Sequence, residues 1–291
     1  MRVLIFGVNG MLGHKLYQRF GANFDVYGTI RSSFESVERY GIFERERVIE
    51  NVDAAKFDSV RKAIELVRPD VVVNAIGIIK QLPSSKDVIQ TLSINSIFPN
   101  QLAELSAEFG FRLITISTDC VFSGAKGNYS ESDTPDARDL YGMSKLLGEP
   151  RNHGALTIRT SIIGRELSTG HSIVEWFLSN RGGNVKGFEQ AIYTGFPSIV
   201  LADIILRVIT DQPDVQGVWH ISSDPISKLD LLRLINEKFN ARVEIEPSTE
   251  LAIDRSLDST KYRELSGFKP ALWEEMVARM AADPTPYESW R

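Results

Sequence analysis

The tightest constraint on this chain lies in its first twenty residues. Val3–Phe6 is a short apolar run that passes directly into Gly7-Val8-Asn9-Gly10-Met11-Leu12-Gly13, after which Leu12, Leu16 and Phe20 recur at i, i+4 and i+8. A buried strand, a glycine turn and an amphipathic helix in immediate succession open a β-α-β unit. Glycine spacing of this kind has a physical purpose. Without Cβ atoms the backbone turns tightly and approaches a pyrophosphate closely, while the helix N-terminus supplies amide donors and a partial positive charge. The spacing, Gly-x-x-Gly-x-x-Gly, differs from the Gly-x-Gly-x-x-Gly of many dinucleotide sites.

The β-α alternation continues through the first half. Strands are expected at Asp25–Gly28, Val48–Asn51, Val71–Asn74, Arg112–Ile116 and Ala155–Arg159, with an amphipathic helix over Lys56–Val67 that Pro69 stops. Asp87–Glu108 reads as one long helix kinked or broken at Pro99. Past Gly164 the alternation loosens, leaving a turn at Gly182-Gly183-Asn184, helices over Ala202–Thr210, Leu229–Phe239 and Trp273–Ala282, and a strand over Val218–Ser222. The expectation is an α/β fold: a doubly wound parallel-sheet Rossmann domain over residues 1–164, with a return segment near 195–222. A smaller α/β substrate lobe is expected over most of 165–291.

The end of the second strand bears on which dinucleotide is held. An acidic residue roughly 20 positions past the glycines suits the ribose hydroxyls of NAD, whereas arginine accommodates the extra phosphate of NADP. Here the chain leaves through Thr29-Ile30-Arg31-Ser32-Ser33. Arg31 and Ser32 therefore favour NADP(H) over NAD(H).

Tyr141 and Lys145 stand one helical turn apart, about 20 residues after Ser117-Thr118-Asp119 at a strand end. Ligands of open parallel sheets bind at such ends. An ordinary tyrosine, with a pKa near 10, shuttles protons poorly at neutral pH. A lysine on the same face stabilises the phenolate, so the pair suits protonation of a carbonyl oxygen while hydride reaches its carbon. Thr118 can hydrogen-bond that oxygen. A Tyr-x-x-x-Lys match is a weak signal alone, and its position carries the weight.

With Gly7/Gly10/Gly13, Asp53, Pro69-Asp70-Val71-Val72-Val73-Asn74-Ala75, Asn95, Ser117–Gly124, Tyr141-Gly142-Met143-Ser144-Lys145 and Arg159-Thr160-Ser161, the chain resembles the extended short-chain dehydrogenase/reductase family. Within it, the chain is most similar to the dTDP-4-dehydrorhamnose reductase branch over nearly its whole length. The resemblance implies a Thr118/Tyr141/Lys145 triad with Asn95 supporting a water and proton relay. It also implies a cofactor site of Gly7, Asn9, Gly10, Met11, Leu12, Gly13, Arg31, Ser32, Asp53, Asn74, Ala75, Ile76, Tyr141 and Lys145. A nucleotide-activated sugar would lie between the lobes, near Cys120, Val121 and Phe122, with Lys80 and Arg255 as candidates for its diphosphate. NADPH-dependent reduction of a nucleotide-linked 4-keto-6-deoxy sugar is the function this implies. A sugar-nucleotide epimerase with tightly bound NAD and a non-catalytic regulatory subunit of the same fold are the alternatives. Two departures stand out. Cys120 occupies a position that is aromatic in this branch and acidic in related dehydratases, and the loop Ile76–Pro83 is more apolar than usual.

Composition removes other classes. A net charge of -5 disfavours nucleic acid as a partner. A single cysteine forbids an intramolecular disulfide, and His14, His153, His171 and His220 show no metal-ligand spacing, so no metal is expected. Cys120 lacks a paired histidine and reads as a buried thiol rather than a nucleophile. No apolar run reaches the roughly 18 residues of a membrane helix, and no signal peptide precedes the first strand. The expectation is a cytoplasmic protein, with a homodimer compatible with the branch.

Overall fold

The computed structural model describes residues 1–151 and 154–290; His153 lies outside the described residues. The first half runs β1 (Arg2–Phe6), α1 (Gly13–Phe20), β2 (Asp25–Thr29), α2 (Glu35–Glu38), β3 (Val48–Ile49), α3 (Phe57–Val67) and β4 (Val71–Asn74). It continues through α4 (Val88–Leu92), α5 (Phe98–Phe109), β5 (Arg112–Thr118), α6 (Leu140–Leu147) and β6 (Leu156–Thr160). The second half holds β7 (Ile162–Ile163), α7 (Ile173–Ser179), β8 (Asn184–Tyr193), β9 (Phe196–Pro197), α8 (Ser198–Asp211) and β10 (Gly217–His220). Last come β11 (Ile226–Ser227), α9 (Lys228–Lys238), β12 (Glu244–Asp254), α10 (Thr260–Ser266) and α11 (Trp273–Ala281).

Seven parallel strands form the main sheet in the order β10-β6-β5-β4-β1-β2-β3. Burial on both faces explains the continuous apolar runs. Alternate residues serve opposite layers: Val3 and Ile5 pack with α1 and α8, whereas Leu4 and Phe6 pack with α3 and α5. The order in which strands are added to the sheet reverses between β1 and β4, and there the sheet opens the crevice in which such folds hold ligands.

The run Asp87–Glu108 is helical and is interrupted just ahead of Pro99, where a kink or break is expected. Between α4 and α5, Ser93–Ile97 form a π-turn in which the Phe98 N–H reaches the Ser93 carbonyl. This i+5 bond slips the register just ahead of Pro99, which then sits in the first turn of α5, where its missing N–H costs little. The second half also contains strands that the sequence pattern did not suggest. β8 lies between β11 and β12 in a three-stranded sheet, and the β8–β12 register shifts between Ser248 and Ala252. β12 is largely exposed and rich in glutamate, so it shows no alternating apolar face. The strand near residue 218 does return to the main sheet, as β10 beside β6. Among the described residues, no helix is long and apolar enough to cross a membrane.

Candidate active site

The glycine loop is shaped by close backbone contacts. Gly7 has a φ of +79°, and a Cβ there would press on the Ile76 side chain. A Cβ on Gly13 would overlap the Gly7 carbonyl. The Gly10 N–H donates to the Gly7 carbonyl at 3.0 Å, closing the turn, and the Ala75 N–H donates to the Phe6 carbonyl at 3.1 Å. The loops after β1 and β4 therefore meet at the reversal point. No side chain caps the first turn of α1, so its amides are left for a ligand. The cradle fits a pyrophosphate.

Arg31 is exposed just past β2, and among the described residues it has no ion-pair partner. The Ser32 hydroxyl lies 2.5 Å from that of Ser36. Asp53, in the loop after β3, accepts the Ala55 N–H at 3.0 Å and so shapes its own turn. Asn74 is buried, and its Oδ1 accepts the Ile76 N–H at 3.1 Å. It supports the β4 loop from beneath.

Thr118 closes β5. Its Oγ1 accepts the Cys120 N–H at 3.1 Å and donates to the Asp119 carboxylate at 3.1 Å. α6 is brought against this turn because Gly142 lacks a Cβ, which would overlap the Cys120 carbonyl. Asp139 caps the helix, accepting the Gly142 N–H at 2.8 Å. Tyr141 is thereby set with its hydroxyl beside Thr118. One turn on, the buried Lys145 ammonium donates to the Ile116 carbonyl at 2.6 Å. Asn95, from the π-turn, clamps Ile78: its Oδ1 accepts the Ile78 N–H at 2.8 Å and its Nδ2 donates to the Ile78 carbonyl at 3.0 Å.

Electrostatics departs from the simplest expectation for the pair. Burial, reinforced by the neighbouring Cys120 and Asp119, pushes the Tyr141 phenol well above its ordinary range. Lys145 is expected to lower it, but here its ammonium is drawn to the Ile116 carbonyl and burial dominates. Burial also brings Lys145 down to about 8, against the raising influence of Glu149 on the next turn. At neutral pH the site therefore holds a protonated phenol beside a cationic lysine. Cys120 is pushed up to about 11, first by burial and then by Asp119, so it stays a thiol.

A cavity of about 320 Å³ adjoins this centre, lined by Phe122, Ser123, Ala137, Arg138, Asp139 and Arg255. Arg255 arrives from the chain that follows β12. The segment is stapled to the 123–130 loop by Asp254 N–H to the Gly124 carbonyl at 2.9 Å and Tyr129 N–H to the Ser256 carbonyl at 2.8 Å. The Arg255 Nε donates to the Phe122 carbonyl at 2.8 Å. Lys80 spans from the β4 loop to Asp139, 2.8 Å away, with its ammonium 5.5 Å from the centre of the Tyr141 ring.

The match to the RmlD substrate binding domain runs over residues 1–285. The chain belongs to that family. Among curated relatives it is similar to methionine adenosyltransferase 2 subunit beta of Mus musculus, at 25% identity over 95% of this chain and 88% of that one. It is also similar to dTDP-4-dehydrorhamnose reductase of Aggregatibacter actinomycetemcomitans, at 24% identity over 97% and 98%. The fold matches the solved dTDP-4-dehydrorhamnose reductase of Bacillus anthracis, crystallised with NADP, with a TM-score of 0.78, 23% identity and 96% and 98% coverage. Family and fold are those of the extended short-chain dehydrogenases/reductases.

The glycine loop Gly7–Gly13 meets Ala75 and Ile76 of the β4 loop, and Thr118, Cys120, Tyr141 and Lys145 are grouped at the end of β5 and on α6. The Val121 side chain is fully buried and so is not presented to a ligand, which corrects the sequence reading there; Phe122, buried and stacked on Tyr129 at 4.2 Å between ring centres, still borders the cavity. Arg165 and Lys186 are engaged by Glu175 and by Glu250. Arg138 was missed, because an isolated arginine in a polar loop carries no periodic signal. Among the described residues, no group of three or more His, Cys, Asp or Glu is arranged to hold a metal ion.

Proposed function

We propose that this NAD(P)-dependent oxidoreductase of the short-chain type acts in the cytoplasm, using NADPH to reduce the keto group of a nucleotide-linked 4-keto-6-deoxy sugar. The observation that carries the reading is Tyr141 held against Thr118 at the end of β5, with the Lys145 ammonium one turn below and the glycine cradle across the crevice.

When bound, NADPH supplies the hydride for the carbonyl carbon. The amides at the start of α1 hold its pyrophosphate, and Arg31 with Ser32 meets the 2′-phosphate. Thr118 orients the substrate carbonyl oxygen. Tyr141, kept protonated by burial, delivers its proton to that oxygen as negative charge develops there. Lys145 stays cationic below about pH 8 and stabilises the phenolate left behind. Asn95 holds the Ile78 main chain against this face. The nucleotide sugar lies between the main and three-stranded sheets, its diphosphate facing Arg255 and Arg138 at the cavity. Displacement of Lys80 from Asp139 would add a third cation. Cys120, an uncharged thiol, offers no base for water elimination, which favours simple reduction.

The test is NADPH consumption against a panel of nucleotide-linked 4-keto-6-deoxy sugars, with Tyr141→Phe as control. Turnover on one member, lost in the variant, supports the reading; no turnover on any member, with NADPH bound, sinks it. Similarity to a methionine adenosyltransferase subunit favours a second reading, a regulatory subunit of the same fold. Stoichiometric capture of a methionine adenosyltransferase catalytic subunit, without turnover on any keto sugar, would favour it.

A further inference from the structure

The last described residues return beneath the glycine loop. Lys15 is buried, and its ammonium meets Asp283 at 2.5 Å and the Thr285 hydroxyl at 2.8 Å. The adjacent His14 is also buried, with Nδ1 2.8 Å from the Gly10 carbonyl and Nε2 2.7 Å from the Tyr287 hydroxyl. The Tyr287 ring is held on several sides: the Arg165 guanidinium lies 4.7 Å from its centre, the Lys15 ammonium 5.1 Å and the Trp290 ring 6.0 Å.

The chemistry of this chain of bonds is determined by its ends. A carbonyl only accepts, so Nδ1 carries the imidazole proton and Nε2 is the acceptor. The Tyr287 hydroxyl must then donate to Nε2. Its other acceptor, the Asp283 carboxylate, is farther off at 3.4 Å. Burial brings the His14 pKa down to about 3, which keeps the ring neutral in this single tautomer at neutral pH.

The Gly10 carbonyl is held inward twice, by the His14 side chain and by the His14 N–H at 3.1 Å. The peptide unit is planar and trans, so its carbonyl and the Met11 N–H point in opposite directions. Fixing the carbonyl inward therefore fixes the Met11 N–H outward, toward the crevice. We propose that Tyr287 acts through His14 as a peptide lock on the phosphate loop, making the C-terminal segment a positioning element for the dinucleotide pyrophosphate. Without the lock, the Gly10 carbonyl keeps only the His14 N–H, and the loop is less firmly ordered before binding.

This inference rests on the dinucleotide site proposed above, and its test separates the two. Affinity for NADPH is measured by fluorescence titration, and affinity for adenosine 2′-phosphate, which lacks the pyrophosphate, by calorimetry. In Tyr287→Phe, which keeps the ring packing, the NADPH dissociation constant is expected to rise about five- to tenfold, the size of one lost hydrogen bond. Adenosine 2′-phosphate affinity and kcat at saturating NADPH should each stay within about twofold, since neither depends on the orientation of that amide. His14→Leu should give at least the same loss, and adding Tyr287→Phe to it should change little, because both remove one chain of bonds. Equal weakening of both ligands, or an unchanged NADPH constant in both single variants, overturns the lock alone. Failure of the unaltered protein to bind NADPH overturns the cofactor site and the lock together.

Discussion

Burial acts on Tyr141 and Lys145 in opposite senses, because it penalises whichever form carries charge. The phenol rises and the ammonium falls to about 8, so the reduction proposed above requires a proton on each group. The expected kcat/KM for keto reduction is level near neutrality and falls about tenfold per pH unit above about 8, where Lys145 loses its charge. A profile level through pH 9.5 would remove Lys145 from that role. Tyr141→Phe should lower kcat about 10²- to 10⁴-fold while leaving NADPH affinity nearly unchanged. Arg31 is the residue that selects the cofactor in this reading. Arg31→Ala should weaken NADPH roughly 10- to 100-fold, the scale of lost charge-assisted hydrogen bonds, and leave NADH binding almost the same. Titration of both cofactors against the variant reads this directly.

Single atoms govern how the elements meet. α6 approaches β5 through Gly142, which faces the Cys120 carbonyl, and approaches the π-turn through Gly148, which faces the Asn95 carbonyl. Both contacts are with backbone, which yields little. Gly142→Ala should therefore cost about 1–3 kcal/mol of stability and shift Tyr141 off Thr118. The expected fall in kcat exceeds tenfold, since small misplacements of a catalytic group are expensive. Pro99→Ala serves as contrast: its proline stands where no N–H is required, so denaturant midpoint and turnover should barely move. The Tyr-x-x-x-Lys spacing was legible in the sequence because one helical turn alone sets it. The π-turn was not. Its register slip depends on α6 and the Ile78 main chain packing against Asn95, and neither is near it in sequence.

Across the whole molecule, two buried histidines tie distant segments together. His14 joins α1 to the C-terminus, and His220 joins β10 to the Tyr129 carbonyl at 2.9 Å and to Arg159. Burial lowers both pKa values, His14 to about 3. Below pH about 6.5 the unfolded chain binds protons that the folded one refuses, so stability falls as pH falls. Each group contributes about 1.4 kcal/mol per pH unit within its window. Urea midpoints measured from pH 7 to pH 5 should drop accordingly, and an unchanged midpoint would refute the neutral, buried assignment. The sequence alone determined the order of strands and helices in the first half, the glycine turn, the exit of β2 through Arg31 and the shared face of Tyr141 and Lys145. All of these are local, written in periods of two and 3.6 residues or in the stereochemistry of glycine. Only the tertiary structure decided that Arg255 meets the Phe122 carbonyl, that Lys145 is drawn to the Ile116 carbonyl and that Tyr287 lies under the glycine loop. His14 and Tyr287 are 273 residues apart. Contacts at such separations are made by packing the whole chain, which leaves no periodic trace in the sequence for a reader to follow.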